Sequence, residues 1–384
     1  MYVFSKNGYT KMFYSWLFFI SLGLHSMEIR YLTPPNLNPE NVYQEVLCHR
    51  PAREGCPRVE REVINNKIVI HNYGHGSAGW SMGWGSAQAA VDLLQQSLDS
   101  AHDIVIIGGG VSGLMVGYLL IKAGYKPSAI IAREFDNLTS HKAGGFCCHQ
   151  SKHPDSTIRD QINGWVAASF KTYKQIAQRQ HPDFSCGARN IPGYFSDRTA
   201  SDLEAYVSAG ILHPAKDVIV DFKNGTQRQM VVYDDNVFID TYDMIKNLQD
   251  YLKAHNVLFI QQEVSDLKSI SSAIVFNCTG LGAKQLAQND SAELMPVQGH
   301  LLLLKGQNPS DLQYTLEVEF GGYMTDTGFA AVDLCYILPK KLPGTPNDVI
   351  GVLGGTFIKG ANSRTPHEKE FSKILQRASE FFGV

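Results

Sequence analysis

Three glycines between residues 108 and 113 are the part of this sequence whose spacing most directly predicts chemistry. Gly108, Gly110 and Gly113 form a GxGxxG motif, and the acid Glu134 follows about 20 residues later. In such motifs the first glycine makes a tight turn, the second lets the backbone approach a pyrophosphate, and the third lets a helix pack closely on a strand. The spacing therefore predicts a dinucleotide site, and the motif alone does not distinguish FAD from NAD.

The segments around this turn match the elements that a dinucleotide site requires. Residues 102–107 are a short apolar run, which is typical of a buried parallel strand. Residues 114–123 are typical of an apolar helix that ends at Gly124, and residues 127–132 of a second strand that ends at Arg133. Strand, turn, helix and strand in this order predict a βαβ unit, with the helix N-terminus facing the phosphates.

The chain of 384 residues has the composition of a globular protein with a small-molecule partner. Hydrophobic residues make up 44% and charged residues 18%, which excludes a disordered chain. The 34 basic and 37 acidic residues give a net charge of −3, which excludes a broad basic surface for nucleic acid. The length allows two domains, at roughly 150 residues per domain.

The N-terminus predicts a leader over residues 1–26. Lys6 and Lys11 precede an apolar run at residues 12–24. This run is shorter than the roughly 20 residues that span a bilayer, and its length is typical of a signal peptide. This pattern favours export or membrane association. A true start at Met27 would instead favour a cytoplasmic protein, and seven scattered cysteines without metal-ligand spacing fit that interpretation better. Both interpretations stay open.

Motifs further along the chain point to a family. Residues 257–260 and 273–276 are predicted strands, Val264 lies between them, and the turn NCTG at residues 277–280 ends the second strand. Three more runs follow, LMPVQGH at residues 294–300, CYILP at residues 335–339 and VLGGTF at residues 352–357. This series of motifs resembles flavoproteins of the D-amino-acid oxidase family.

Two further motifs of that family lie ahead of the GxGxxG turn rather than at the C-terminus. Residues 50–60 (RPAREGCPRVE) match its RPxR signature, and residues 71–80 (HNYGHGSAGW) match its HxYGHG signature. A helix predicted over residues 87–98 then leads through residues 99–102 into the strand before the turn. We therefore interpret the chain as a circular permutant of the D-amino-acid oxidase fold, whose old termini lie close together.

The resemblance implies an α/β fold in which a Rossmann-like FAD-binding domain is interleaved with an α+β substrate domain built on a mixed sheet. The FAD-binding domain is predicted at residues 59–152 and 235–290. The substrate domain is predicted at residues 27–58, 153–234 and 291–384.

The resemblance also implies a reaction, the oxidative deamination of D-amino acids. A hydride passes from the substrate Cα to flavin N5, the imino acid is hydrolysed to a 2-oxo acid, and O2 is reduced to H2O2. Arg50 matches the arginine that binds the substrate carboxylate, Tyr336 a tyrosine that binds the same group, and Ser77 the position whose backbone carbonyl binds the ammonium. The lid tyrosine of the family is Val332 here, and Tyr323 is the candidate replacement.

The glycine motif and the resemblance together predict the residues that contact the cofactor FAD. They are Gly108, Gly110, Val111, Ser112, Gly113, Arg133, Glu134, Ser140, Gly144, Gly145, Val264, Thr279, Gly280, Gly76, Ala78, Gly79, Trp80 and Ser81. Cys147 and Cys148 follow this set, and they are interpreted either as buried apolar residues or as redox-active thiols.

Several alternatives to a D-amino-acid oxidase stay open. A D-aspartate or glycine oxidase on the same fold would keep Arg50 and differ in the pocket, and a dehydrogenase would pass electrons to another acceptor. A flavin-binding protein without turnover would need neither Arg50 nor Tyr336. The expected partners are a small amino acid and O2, with no nucleic acid and no metal. Membrane association through the leader and a homodimer are open alternatives.

Overall fold

The computed structural model describes residues 27–95, 103–147, 149, 151–287, 289–363 and 368–384. The strands are β1 (Glu28–Tyr31), β2 (Val42–Arg53), β3 (Arg58–Ile64), β4 (Lys67–Tyr73), β5 (Ile104–Ile107), β6 (Pro127–Ala132), β7 (Ala188–Asn190), β8 (Gly193–Phe195), β9 (Lys216–Asp221), β10 (Gln227–Tyr233), β11 (Val237–Ile239), β12 (Leu258–Gln261), β13 (Ile274–Asn277), β14 (Leu294–Leu304), β15 (Thr315–Met324), β16 (Ala330–Lys341) and β17 (Ile350–Lys359). The helices are α1 (Gly79–Gln95), α2 (Val111–Lys122), α3 (Thr139–Lys142), α4 (Ser156–Ala177), α5 (Arg198–Ser201), α6 (Glu204–Ser208), α7 (Thr241–Ala254), α8 (Ala283–Leu286) and α9 (Glu368–Phe382). The predicted leader lies outside these ranges, and no helix within them is long and apolar enough to cross a membrane.

The GxGxxG turn belongs to a six-stranded sheet with the strand order β12-β6-β5-β13-β4-β3. Neighbouring strands from β12 to β4 run parallel, whereas β3 pairs antiparallel with β4. All four residues of β5 are buried, as expected for a parallel strand covered on both faces. The predicted βαβ unit is confirmed, since β5, α2 and β6 follow one another around the turn.

Strand β4 comes from the segment ahead of the turn and still lies inside this sheet. It pairs in parallel with β13, with Ile68 opposite Ile274 and His71 opposite Asn277. Strand β13 pairs in the same direction with β5. Because the carboxyl ends of parallel strands meet at one edge of a sheet, the segments that follow β4, β5 and β13 come together at that edge.

Helix α1 begins at Gly79, earlier than the predicted start at residue 87. Its first turns contain three glycines, which lower the helix propensity. The sequence pattern therefore does not predict a helix there. Gly85 gives the physical reason, since a Cβ there would lie 2.3 Å from the backbone Cα of Trp165 in α4. Close packing on α4 therefore outweighs the low propensity. The predicted end of this helix, at residue 98, lies outside the described residues.

Helix α4 lies in the segment 153–234 that we assigned to the substrate domain, but it packs on the other domain. Val166, Phe170 and Tyr173 share an apolar cluster with Val91 of α1 and Leu114 of α2. The helix therefore adds to the core that covers the six-stranded sheet. The other domain boundaries stay a prediction.

A nine-stranded mixed sheet has the strand order β1-β9-β10-β8-β15-β16-β17-β14-β2. Successive side chains of its strands point to opposite faces. On β16, Cys335 and Ile337 join the apolar cluster that α9 covers, whereas Leu334, Tyr336 and Leu338 join a second cluster on the other face. This second face forms one wall of a large cavity.

Candidate active site

A cavity of about 1060 Å³ is lined by residues of both sheets. Sites for small ligands usually measure roughly 300–1,000 Å³, so this cavity has room for a dinucleotide together with a small substrate. The predicted site residues that line it are Arg50, Gly76, Ser77, Ala78, Gly79, Trp80, Ser81, Gly108, Gly110, Val111, Ser112, Arg133, Glu134, Ser140, Gly144, Gly145, Val264, Thr279, Gly280 and Tyr336. The structure thus brings together motifs that lie far apart in the chain.

The glycine turn has the close backbone approaches that its sequence predicts. Gly108 has a φ of +115°, and a Cβ there would lie 2.3 Å from the carbonyl oxygen of Cys278. A Cβ on Gly113 would lie 2.1 Å from the carbonyl oxygen of Gly108. Gly113 does not line the cavity, and its assignment as a cofactor contact stays a prediction. Its role is to let α2 pack against the turn.

Ser140 joins the glycine turn to the start of α1. Its hydroxyl oxygen accepts a hydrogen bond from the Val111 backbone N–H, at 3.1 Å. Its carbonyl oxygen accepts one from the indole N–H of Trp80, at 3.0 Å. The neighbouring Thr139 hydroxyl donates to the carbonyl of His49 on β2, at 3.1 Å. These bonds fix the relative positions of three segments that line the cavity.

Gly144 and Gly145 let a loop lie close to two strands, β16 of the mixed sheet and β11, which pairs with β7. Gly145 has a φ of +91°, and a Cβ there would lie 2.0 Å from the carbonyl oxygen of Ile239. A Cβ on Gly144 would lie 2.4 Å from Cδ1 of Leu338. The loop is tied down by the buried Lys340 ammonium, which donates to the Ala143 carbonyl at 2.5 Å. Side chains at the two glycines would therefore push the loop away from β16 and β11.

The acid that follows the glycine motif lines the cavity at an exposed position. Glu134 follows β6, is exposed, and accepts a hydrogen bond from Arg133 Nε at 3.0 Å. Val264 packs on the apolar cluster that contains Ala129 and Ile131. A carboxylate beside an apolar surface fits a ribose and its base.

A buried polar chain orients the turn after β13. Nε2 of His71 donates to the Glu62 carboxylate at 2.8 Å, and its Nδ1 accepts from the Asn277 amide at 3.1 Å. The Thr279 hydroxyl donates to Oδ1 of Asn277 at 2.7 Å. Burial lowers the pKa of His71, so the ring is neutral with one donor and one acceptor nitrogen. Thr279 is therefore held in place at the cavity wall.

Asn72 tests whether these residues fit a bound cofactor. It is fully buried and lines the cavity, and neither atom of its side-chain amide has a hydrogen-bond partner among the described residues. A buried polar group without a partner costs about 1–3 kcal/mol, which a polar ligand would recover. Together with the glycine turn at Gly108, this amide fits a polar dinucleotide cofactor.

Arg50 lies buried in the cavity wall without a counter-ion. Its guanidinium stacks 4.0 Å above the ring of Phe357, and its Nη1 donates to the Thr356 carbonyl at 3.1 Å. A Cβ on Gly299 would lie 2.4 Å from Nη1, so this glycine makes the room. Within the described ranges no carboxylate pairs with Arg50. A buried, unpaired cation favours an anionic ligand.

Tyr336 lies beside Arg50 over a second glycine. A Cβ on Gly354 would lie 2.2 Å from Cζ of Tyr336, so the ring leans toward β17. Burial raises the pKa of the Tyr336 phenol, and the nearby Arg50 lowers it by less. The hydroxyl therefore stays protonated at neutral pH and can donate a hydrogen bond to the same anion as Arg50.

The segment between β4 and α1 brings Ser77 to the cavity. Gly76–Ala78 form a short 3₁₀ helix that runs directly into α1. Ser77 is exposed in the cavity, whereas the preceding His75 is buried and contacts the Ser86 hydroxyl at 3.0 Å. Burial lowers the pKa of His75 to about 4, so its imidazole is neutral at physiological pH. The predicted role of the Ser77 carbonyl stays a prediction.

The cavity also contains acidic residues that the sequence analysis did not single out. Glu317 on β15 and Asp202 after α5 both line it. In β15, Leu316 and Val318 alternate with Glu317, which is the pattern of a strand with one solvent-facing side. The sequence gives no signal that this polar side faces a cavity instead.

The structure bears on two residues that the sequence left open, Tyr323 and Cys147. Tyr323 is not the lid replacement, because its hydroxyl donates to the Glu370 carboxylate and its ring packs with Ala331 away from the cavity. Cys147 is fully buried, and burial raises the pKa of its thiol, so it is a buried apolar residue rather than a reactive thiolate. Cys148 lies outside the described residues.

A glycine turn in a parallel sheet and a buried arginine line the same cavity, which is the arrangement expected of a dinucleotide-dependent oxidoreductase. A sequence profile of the FAD-dependent oxidoreductases, the DAO family, matches residues 103–384. The chain belongs to this family, and its cofactor is FAD.

The chain is also similar to individual members of known function. It is 24% identical over 294 residues to a D-amino-acid oxidase of Schizosaccharomyces pombe, which covers 72% of this chain and 76% of the relative. It is 46% identical over 54 residues, 14% of each chain, to a D-aspartate oxidase of Cryptococcus neoformans. The structure of iminodiacetate oxidase from Chelativorans sp. BNC1 has the same fold, with a TM-score of 0.50, 14% identity, and coverage of 73% of this chain and 79% of that one.

Proposed function

We propose that this protein catalyses the FAD-dependent oxidative deamination of D-amino acids to 2-oxo acids, with reduction of O2 to H2O2. The main support is the pairing of Arg50 and Tyr336 in the cavity that also contains the glycine turn. Two donors aimed at one place, one of them a buried cation, are what a substrate carboxylate requires. Relatives named D-amino-acid oxidase support the same choice of substrate.

When bound, FAD would supply the acceptor for the substrate hydride and the means of reducing O2. The chain's own residues provide orientation. Arg50 and Tyr336 hold the carboxylate, and the backbone carbonyl of Ser77 accepts a hydrogen bond from the substrate amine. Overall, the D-amino acid, O2 and water yield the 2-oxo acid, ammonium and H2O2.

The oxidation of D-aspartate is the second candidate function. Lys142 lines the same cavity, and its amine lies 3.5 Å from the Leu47 carbonyl on β2, the strand that carries Arg50. From this position on the β2 side of the cavity, the Lys142 amine can reach a second substrate carboxylate. Glycine oxidation and an amino-acid dehydrogenase that uses another electron acceptor are distinguished by the same experiment.

The experiment is a peroxide assay of the FAD-loaded enzyme over a panel of D- and L-amino acids. We expect H2O2 from D-amino acids and none from their L-enantiomers. Activity with glycine or D-aspartate alone would select the alternative oxidases. Substrate-dependent reduction of a dye without H2O2 would select the dehydrogenase, and no reaction with any D-amino acid would overturn the proposal.

We also propose that the order of the motifs is a circular permutation. It is supported by β4, which follows the RPxR motif in the chain and lies next to β13 in the sheet. Residues 96–102, which join α1 to β5, lie outside the described residues. Export or membrane association through residues 1–26 stays a prediction for the same reason.

A further inference from the structure

The wall of the cavity beyond Tyr336 is acidic. Glu317 of β15 lies directly opposite Tyr336 of β16 in the antiparallel pairing, so both side chains lie on the cavity face of the sheet. Because the Tyr336 ring leans over Gly354 on the opposite neighbour β17, it leaves the space above β15 to Glu317. The two sides of Tyr336 therefore differ, with the carboxylate-binding donors on one side and an acid on the other.

Glu317 has no partner in the described part of the chain. No cation forms an ion pair with it there, and no donor forms a hydrogen bond with its carboxylate. Its side chain is half-buried and lines the cavity. Burial, followed by the nearby Asp202 and Glu319 carboxylates, raises its pKa to about 7. Such a carboxylate gains most from a cation that enters the cavity.

The residues next to Glu317 strengthen the negative charge of this wall. Asp202 lines the cavity and contacts Lys152 only at 3.6 Å, and that lysine is 77% exposed. His149 also lines the cavity, and burial lowers its pKa, so its ring carries no charge at neutral pH. The cations that line the cavity lie elsewhere. Arg50 and Lys142 are on the β2 side, and Arg133 follows β6 and pairs with Glu134.

The spacing of the strands sets the length of the ligand that can reach both ends. The Tyr336 ring, which binds the substrate carboxylate in this proposal, lies above β17. Glu317 projects from β15, two strands away. Neighbouring strands are about 4.8 Å apart, so the two ends are separated by about 10 Å. A glutamate side chain covers part of this distance, and an extended lysine or arginine side chain, roughly 6 Å long, covers the rest. A short side chain does not.

We propose that the preferred substrates are D-amino acids with a long cationic side chain, D-arginine and D-lysine, and that Glu317 binds the cationic end. This proposal rests on the proposed function, because it uses the carboxylate position set by Arg50 and Tyr336. A second carboxylate, as in D-aspartate or D-glutamate, would meet repulsion at this wall.

The test compares D-arginine with D-citrulline, which has the same shape without the charge. With the FAD-loaded enzyme we expect kcat/KM for D-arginine to exceed that for D-citrulline by about 10- to 100-fold, the usual effect of a hydrogen-bonded charge pair. In Glu317→Gln this ratio should fall to near one. Glu319→Gln is the matched control, because Glu319 is an exposed acid of the same strand that does not line the cavity, and its ratio should stay high.

A binding measurement separates this proposal from the proposed function. The ligands 5-guanidinopentanoate and 5-ureidopentanoate lack the α-amine and cannot be oxidised, so their binding is read from the flavin absorption spectrum. Tighter binding of the guanidino ligand supports the role of Glu317 even if no D-amino acid is turned over. Turnover of D-alanine with equal use of D-arginine and D-citrulline would overturn the specificity and leave the proposed function intact. If Glu317→Gln does not fold, two ratios measured on the unmodified enzyme test the proposal. They are the kcat/KM ratio of D-arginine to D-citrulline and the affinity ratio of 5-guanidinopentanoate to 5-ureidopentanoate.

Discussion

The charge of Arg50 is in place before any substrate arrives. Because of this preorganisation, we expect Arg50 to contribute strongly to substrate binding. The guanidinium is held by the ring of Phe357 and the carbonyl of Thr356, neither of which neutralises it. An arriving carboxylate therefore meets a cation that has already lost most of its water, and a charge-assisted bond in such a place is strong.

Replacing Arg50 with alanine should reduce kcat/KM for D-alanine by a factor that corresponds to about 2–5 kcal/mol, the usual loss when one partner of a buried charge pair is removed. The FAD content, measured from the absorption spectrum of the purified protein, reports whether the fold is kept. Unchanged turnover in an FAD-loaded Arg50→Ala variant would contradict the assignment of the RPxR segment to the active site.

At the scale of elements, two glycines on neighbouring strands hold Arg50 and Tyr336, the proposed carboxylate-binding pair, in position. Gly299 of β14 leaves room for Arg50, and Gly354 of β17 leaves room for Tyr336. Because these glycines have no side chain, they leave the cavity face of the sheet open for Arg50 and Tyr336.

Gly299→Ala and Gly354→Ala should each raise KM for D-alanine by about tenfold or more, since the new methyl group would displace a binding side chain that must stay in place. Gly322→Ala is the control, because a Cβ there has no neighbour closer than 3.6 Å and should leave KM unchanged. Steady-state kinetics of the three variants test this account, which fails if all three have the KM of the parent enzyme.

A partly buried ion pair connects β2 and β4 to the segment before β14. Arg53 donates two hydrogen bonds of 2.8 Å to the Asp290 carboxylate, and the Tyr73 hydroxyl donates a third at 2.7 Å. These bonds hold the pKa of Asp290 well below its usual range in the folded protein. The stabilisation is therefore present above the unfolded pKa, near 4, and is lost as the pH falls below it.

Asp290→Asn should lower the free energy of unfolding by about 1.5–3 kcal/mol at pH 7, because the charged acceptor of three hydrogen bonds is lost. Asp217→Asn breaks an exposed ion pair with Arg198 and should cost about 0–1 kcal/mol. Urea unfolding at pH 7 and at about pH 3, below the unfolded pKa of the carboxyl group, measures both effects. A difference between Asp290→Asn and the parent that grows toward acid pH would contradict the assignment.

The elements with strong local patterns were predictable, and those that depend on packing were not. Apolar runs and the glycine spacing predicted β5, α2 and β6, since buried strands and a phosphate-binding turn leave their own sequence patterns. The start of α1 was missed because its glycines pack on α4, a contact that no local pattern reports. Glu317 was missed because a cavity and bulk solvent both accept a polar side chain.

At the scale of the whole molecule, both described ends of the chain meet the same hairpin. Tyr31 of β1 pairs with Asp221, and the Asn224 side chain of the β9–β10 turn donates to the Phe382 carbonyl at 2.9 Å. Ends that lie this close can be joined by a short linker without disturbing the core.

A rearranged variant tests the permutation. Residue 384 is linked to residue 27 by a short Gly/Ser linker, and the chain is opened so that it starts at residue 103. We expect this variant to fold and to purify with FAD, because every strand keeps its neighbours. The same linker with the chain opened inside β16 is the control and should not bind FAD. A colourless, unfolded first variant would contradict the permuted order.

The central claim is that a D-amino acid held by Arg50 and Tyr336 reduces the flavin of this protein. Anaerobic mixing of the FAD-loaded enzyme with D-alanine, D-arginine or the corresponding L-amino acids measures that step directly through the flavin absorption. We predict that the D-enantiomers bleach the flavin, that the L-enantiomers do not, and that Arg50→Ala needs far higher D-amino acid concentrations. A flavin that stays oxidised with every D-amino acid would contradict the account.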